Sequence, residues 1–299
     1  MEMLSYEGFE YLLMEELDKR YPDMKKTTKG IVKINEKKQG IIIECTNGIC
    51  ATIYPENLYE VYERVYEEMN FMDIILESVD TALKYEFVKE YKSMLYKWDD
   101  IKQYVKPFVF NLEKNRKYIE QNQIIFRERL NLAYGCFVDF PEDEEGGSAQ
   151  VNISRNLLEL WEISEEELFE TAESNAIFCI KSMRQVIEEL IQNQSGMEVN
   201  LGEKTFLYVL STENRYRGAA GIFKTELLEN HAEEIDGNFY ILPSSMHEAI
   251  LVKEEDAPSV EILRDMVQDV NETQVKVEEY LVDSVYYYDR ATKEVTIVG

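Results

Sequence analysis

Histidine and tryptophan each occur only twice in the chain, cysteine four times and proline six. So few imidazoles and thiols leave little material for a metal centre. Cys45, Cys50, Cys136 and Cys179 form no CxxC pair and no cluster with His231 or His247. No run of 18 apolar residues occurs, so no transmembrane helix is expected. The first twenty residues, MEMLSYEGFEYLLMEELDKR, are acidic and amphipathic, without the basic and apolar regions of a secretion signal. These absences lead to the expectation of a cytoplasmic protein with reduced thiols, no metal and no cofactor.

Positive charge is also scarce. Lys and Arg number 32 against 59 Asp and Glu, a net charge of −27. Residues 1–150 carry 20 bases and 29 acids (−9), and residues 151–299 carry 12 bases and 30 acids (−18). Contact with phosphate backbones or anionic lipid rests on Lys and Arg, so neither direct nucleic-acid binding nor membrane binding is expected. The same field suits a basic protein partner, and one form of that is charge mimicry of nucleic acid.

What is plentiful is apolar and tyrosine surface: 45% of the 299 residues are hydrophobic, and Tyr numbers 20. That suffices for a large core. Apolar recurrence at Phe9, Leu12, Leu13 and Leu17 predicts a helix over 3–20. Strands are predicted at 29–34, 40–44 and 49–54, with an Asn47-Gly48 hairpin turn, because that pair accepts the positive φ a tight turn needs. A helical region follows from Pro55 to about Val105, broken near Asn70. It carries an aromatic stripe (Tyr59, Tyr62, Tyr66, Tyr85, Tyr91, Tyr96, Trp98) read mainly as core packing. Strands are expected at 107–112, 133–140 and 150–153, and a short helix at 154–160. Ser164 and Glu167 have the spacing of a capping box, opening one helix that runs to about Asn193 with Asn175 in its middle. The fold class is α+β: antiparallel meanders with long helices packed on them, in two lobes. The lobes are expected at 1–145 and 146–299, divided at the acidic, glycine-containing segment 141–148.

The densest chemistry lies between Lys204 and Val252, read as strand, turn, strand, short helix, strand, Pro-Ser-Ser corner, strand. His247-Glu248 lacks a second histidine four residues on, where Leu251 stands, so no zinc-protease signature is present. Ser245 and His247 alternate onto one face of an extended chain, but no nucleophile-elbow motif precedes them. Hydroxyls serving the local backbone are the plainer reading of the corner. Gly218-Ala-Ala-Gly221 lacks a phosphate-loop frame and reads as close packing in a strand.

The segments NISRNLLELW (152–161), SEEELFETAESN (164–175), FLYVL and YRGAAG within 206–221, YILPSSMHE (240–248) and LVDSVYYYD (281–289) together resemble domain-of-unknown-function family 5688, from low-GC Gram-positive bacteria and their mobile elements. The ELxxxAxxN helix and the GAA segment are more distantly similar to another uncharacterised α+β family. The resemblance implies no activity, substrate or cofactor. It implies that Asn175, Pro243, Ser244, Ser245, His247, Glu248 and the Tyr286–Asp289 strand lie where such a family places its motif. Asn175, Ser244, Ser245, His247, Glu248 and Tyr287 are therefore the candidate binding residues, with no catalytic residue assigned. The expected function is a non-catalytic interaction or regulatory protein docking on a basic partner; the alternative is an enzyme or small-ligand binder using the Ser245/His247/Glu248 corner.

Overall fold

The computed structural model describes residues 3–44, 50–83, 91, 93–141, 149–196, 207–243 and 245–299. The Asn47-Gly48 turn, Cys45, Tyr85, the acidic segment 142–148 and Ser244 lie outside the described residues. The chain is α+β and falls into two compact units, Met1–Ser93 and Met94–Gly299. The 145/146 position lies inside the second unit, between two paired strands of one sheet.

In the first unit, helix α1 (Tyr6–Arg20) starts three residues later than its apolar periodicity suggests, because the Ser5 hydroxyl caps it by accepting from the Gly8 N–H. Strands β1 (Lys25–Val32), β2 (Lys37–Glu44) and β3 (Cys50–Ile53) form an antiparallel meander. Helices α2 (Pro55–Val65) and α3 (Phe71–Leu83) follow, separated near Asn70 as expected. Phe9, Leu13 and Leu17 of α1, Ile41 and Ile43 of β2, Tyr62 of α2 and Ile75 and Val79 of α3 share one core. Tyr59, Tyr62 and Tyr66 of the aromatic stripe are part of that packing, whereas Tyr96 is exposed and lies with Trp98 in the second unit. Tyr62 stacks on Phe9 at 5.0 Å, its hydroxyl accepts from the Leu4 N–H, and the Tyr59 hydroxyl donates to the Leu4 carbonyl. Two phenols thus anchor the chain just ahead of α1, satisfying polar tips where the rings are buried.

The second unit holds two antiparallel sheets. The first consists of β4 (Val105–Asn111), β6 (Leu132–Asp139) and β5 (Phe126–Arg129), with β7 (Gln150–Asn152) paired to the far end of β6. Strands β4 and β6 are buried along nearly their whole length, so both faces are covered. A short helix, α4 (Trp98–Ile101), leads into β4, and α5 (Arg116–Asn122) leads into β5. Helices α6 (Arg155–Trp161) and α7 (Glu165–Asn175) come next, and α7 packs on β4.

Here the structure corrects one expectation. The helix opened by Ser164 does not run to Asn193. It ends at Asn175, an intervening strand β8 (Cys179–Ser182) joins the second sheet, and α8 (Met183–Ser195) starts afresh. Ser182 and Gln185 form the reciprocal capping box of α8. At Ser164 the hydroxyl does accept from the Glu167 N–H, but the Glu167 carboxylate accepts from the Trp98 indole N–H at 3.0 Å.

The second sheet has the order β13-β12-β10-β11-β9-β8, with β9 at Leu207–Ser211, β10 at Phe239–Leu242, β11 at Ala249–Lys253, β12 at Tyr286–Asp289 and β13 at Glu294–Ile297. Gly218–Phe223 is a 3₁₀ helix rather than the expected strand, and α9 (Thr225–Glu234) follows it. Helix α10 (Val260–Thr273) buries Leu263 and Val267 against Leu242, Val252 and Val285. Alternation places Tyr286 and Tyr288 in the core and leaves Tyr287 half-buried on the other face of β12. Cys136 and Cys179 are free thiols.

Candidate functional site

The corner between β10 and β11 is tied down from several directions. Ser245 is buried and its hydroxyl accepts from the His247 N–H at 3.1 Å, which leaves it serving the backbone rather than facing the imidazole. The His247 carbonyl accepts from the Ser211 hydroxyl at 2.7 Å and from the Gly218 N–H at 2.9 Å. The Met246 N–H donates to the Glu279 carbonyl at 2.8 Å. Strand β9, the start of the 3₁₀ helix and the 277–279 turn therefore all converge on residues 245–247.

The imidazole points to the 3₁₀ helix. Nδ1 of His247 accepts from the Arg217 N–H at 3.2 Å, and its Nε2 lies 3.6 Å from Glu279 Oε1. Burial holds the His247 pKa below its ordinary value; Arg217 pushes the same way and Glu279 opposes. A neutral ring whose Nδ1 is an acceptor carries its proton on Nε2, directed at the Glu279 carboxylate. This arrangement orients Arg217. It does not pair a serine with a base, because Ser245 and His247 meet only through the main chain.

Arg217 is the residue that sequence reasoning missed. It has a left-handed backbone, with φ of 51°, and Arg215 two residues before it has φ of 54°. Non-glycine residues in this region carry strain on the order of 1 kcal/mol, held by their surroundings. The Arg217 guanidinium lies 4.4 Å from the Phe108 ring centroid and 4.3 Å from that of Phe137. Its Nη1 donates to Asn152 Oδ1 at 2.8 Å, Tyr216 is a second side-chain hydrogen-bond partner, and its Nε has no acceptor. Burial lowers its pKa below that of ordinary arginine. Arg217 forms no ion pair with any carboxylate among the described residues.

Arg217 borders a cavity of about 240 Å³. Pro107, Phe137, Ile177 and Phe178 supply much of its apolar wall, and Lys106, Asp139, Asn175, Thr212 and Tyr216 supply polar edges. Lys106 Nζ donates to Asp139 Oδ2 at 2.8 Å; Gln150 donates to Asp139 Oδ1 at 2.9 Å and accepts from the Tyr216 hydroxyl at 2.7 Å. The Tyr216 ring stands 5.0 Å from the His247 ring, so His247 backs the cavity wall without lining it. The sequence carried Arg217 and Asn152 inside the segments YRGAAG and NISRNLLELW. Nothing local marks them, because their bond spans 65 residues.

The remaining candidates divide. Asn175 lines the same cavity, and its side-chain amide donates to the Lys102 carbonyl at 2.7 Å and the Val105 carbonyl at 2.9 Å. It is the last residue of α7, not a mid-helix residue, and it ties that helix end to the start of β4. Asn175→Asp removes both donors and is expected to cost about 1–3 kcal/mol, more than Asn175→Gln, as read by urea midpoints followed through tryptophan fluorescence. Glu248 is half-buried beside His247. Tyr287 belongs to a different cluster: its hydroxyl accepts from Asn238 Nδ2 at 2.7 Å and its ring contacts Tyr240. Burial is the first cause of its pKa rising to about 12. Tyr287 is not part of the Arg217 cavity wall. Among the described residues no group of three or more His, Cys, Asp or Glu side chains could hold a metal ion.

A second feature lies on α10. Ile262, Met266 and Val270 recur every four residues and are 51%, 51% and 37% exposed. Glu261, Asp265 and Asp269 form the adjacent row, also exposed, while Leu263, Val267 and Asn271 form the buried row. An apolar stripe beside an acidic stripe thus runs the length of the helix.

Two antiparallel sheets faced by helices, with a half-buried arginine at a tied corner, define an antiparallel α+β protein. A family model described as a family of unknown function, DUF5688, matches residues 6–290, and the chain belongs to that family. No curated protein and no solved structure matches the chain. No helix among the described residues is long and apolar enough to cross a membrane.

Proposed function

We propose that this chain is a non-catalytic interaction protein that docks a basic, amphipathic segment of a partner protein, acting in the cytoplasm. The observation that carries this reading is the exposed Ile262–Met266–Val270 stripe beside the Glu261–Asp265–Asp269 stripe on α10. Three exposed apolar side chains at helical spacing fit a partner whose own face alternates apolar and cationic groups. The second unit, residues 94–299, carries 20 bases and 40 acids (−20), so its field draws such a partner in. The apolar row favours a peptide over a nucleic-acid-like role, since a mimic of the phosphate backbone presents acids without an apolar stripe.

The test is fluorescence anisotropy of a labelled 14-residue Lys/Leu amphipathic peptide against the full-length protein. Met266→Asp is expected to weaken binding by about 10-fold or more, the value of one buried side chain. Glu261→Lys combined with Asp265→Lys is expected to weaken it further and to flatten its salt dependence. Equal affinity for wild type and Met266→Asp, with both folded by circular dichroism, sinks the proposal.

A further inference from the structure

The geometry points to the cavity beside Arg217 as a binding site for a small monoanion, a carboxylate carried on a compact apolar or aromatic body. Three independent features converge there. First, the Arg217 guanidinium, largely enclosed by its neighbours, has no carboxylate ion pair among the described residues: its side-chain hydrogen bonds go to the neutral Asn152 and Tyr216, and its Nε has no acceptor. An enclosed charge left in this state is costly unless an opposite charge arrives. Asp139, the carboxylate on the cavity wall, is already engaged by Lys106 and Gln150, and Glu213, at the rim, pairs with Lys181.

Second, the cation is held in place at a cost. Its backbone is left-handed, its N–H is fixed by His247 Nδ1, and its guanidinium is braced by Phe108 and Phe137. Strain of this kind persists where the surroundings over-determine it, and here it presents a rigid charge. The PSSMHE corner thereby acquires a role. His247 positions the arginine and does not touch the ligand.

Third, the cavity selects for the rest of the molecule. At about 240 Å³ it lies below the ~300–1,000 Å³ of sites for drug-sized ligands, so it suits a body of about one ring. Pro107, Phe137, Ile177 and Phe178 give that body an apolar seat, with Thr212, Asn214 and Asn175 at the edge. One uncompensated cation against an apolar wall favours a carboxylate over a phosphate, whose greater charge calls for several donors. The site shares no residue with α10, so it stands or falls separately from the docking face.

The experiment is ligand-observed NMR and calorimetry on the full-length protein with benzoate, benzamide, benzylamine and inorganic phosphate. Benzoate is expected to bind about 10-fold or more tightly than isosteric benzamide, with benzylamine and phosphate weaker still. Arg217→Met should erase the preference for benzoate over benzamide. Should that variant fail to fold, Ile177→Trp serves instead: Ile177 is 76% exposed at the rim, and a bulky ring there should block benzoate by a similar factor. Equal binding of benzoate and benzamide, no binding of either, tighter binding of phosphate, or indifference of benzoate to Ile177→Trp would each overturn the assignment.

Discussion

Gly218→Ala is expected to destabilise the second unit by about 3–5 kcal/mol, a large cost for adding one methyl group. A Cβ at this position would sit 2.4 Å from the Thr212 nitrogen, 2.4 Å from the Ser211 hydroxyl oxygen and 2.6 Å from Ser211 Cα. Two of these neighbours are backbone atoms, and backbone cannot rotate aside as a side chain does. Ser211 ends β9, paired to Cys179 of β8, and its hydroxyl and the Gly218 N–H share the His247 carbonyl. Relief of the clash must break that shared carbonyl site or distort β9. Gly221→Ala is the control: its Cβ would meet Leu210 Cδ2 at 2.7 Å and the Phe178 ring at 3.0 Å, side chains that can move, so about 1–2 kcal/mol is expected. Both tryptophans, Trp98 and Trp161, lie in the second unit, and their fluorescence during urea unfolding reports on it specifically. Matching midpoints for wild type and Gly218→Ala would show that the 3₁₀ helix is not seated against β9 as described.

The same stretch shows where the sequence was readable and where it was not. Periodicity made α1 legible, because Phe9, Leu13 and Leu17 recur every four residues and all three are buried. The break near Asn70 was legible through its polar, turn-forming residues. The segment between Ser164 and Asn193 was misread for a physical reason. Ala176-Ile-Phe-Cys-Ile180 continues an apolar pattern without glycine or proline, so nothing announces that α7 stops and β8 begins. The signal that existed was Ser182 followed by Gln185, a capping box in what read as helix interior. Gly218–Gly221 was misread because small residues permit close approach in a strand and in a 3₁₀ turn alike. The Arg217 cavity was out of reach for another reason. It is assembled from residues around 106, 137, 175 and 217, which no local pattern links. The histidine drew attention by rarity, yet the unpaired charge next to it is the more unusual feature.

His231 gives the last expected result, a loss of stability in mild acid. The ring is 3% exposed, wedged edge-on between Tyr208 at 4.6 Å and Phe239 at 5.2 Å, and neither nitrogen has a hydrogen-bond partner. Burial pushes its pKa from 6.5 down to about 4, since the charged form is disfavoured away from water. A histidine depressed in the folded state is protonated more readily when unfolded. Its contribution is therefore fully present above pH 6.5 and is lost progressively as pH falls from 6.5 to about 4. The whole span is worth about 3 kcal/mol, and about 2 kcal/mol of it is gone by pH 5. His231→Phe keeps an aromatic edge against Tyr208 and Phe239 and removes the titrating group. In urea titrations followed by tryptophan fluorescence, the wild-type midpoint should fall further between pH 7.5 and pH 5 than that of the variant, by about 1 M. Carboxylates and His247 titrate in both proteins, so the difference between the two acid limbs isolates His231. At pH 7.5 the variant should be no less stable than wild type, because an unsatisfied buried polar ring has been exchanged for an apolar one. Parallel acid limbs for the two proteins would mean that the imidazole reaches water or a partner in solution, and that its burial between Tyr208 and Phe239 is not the source of the shift.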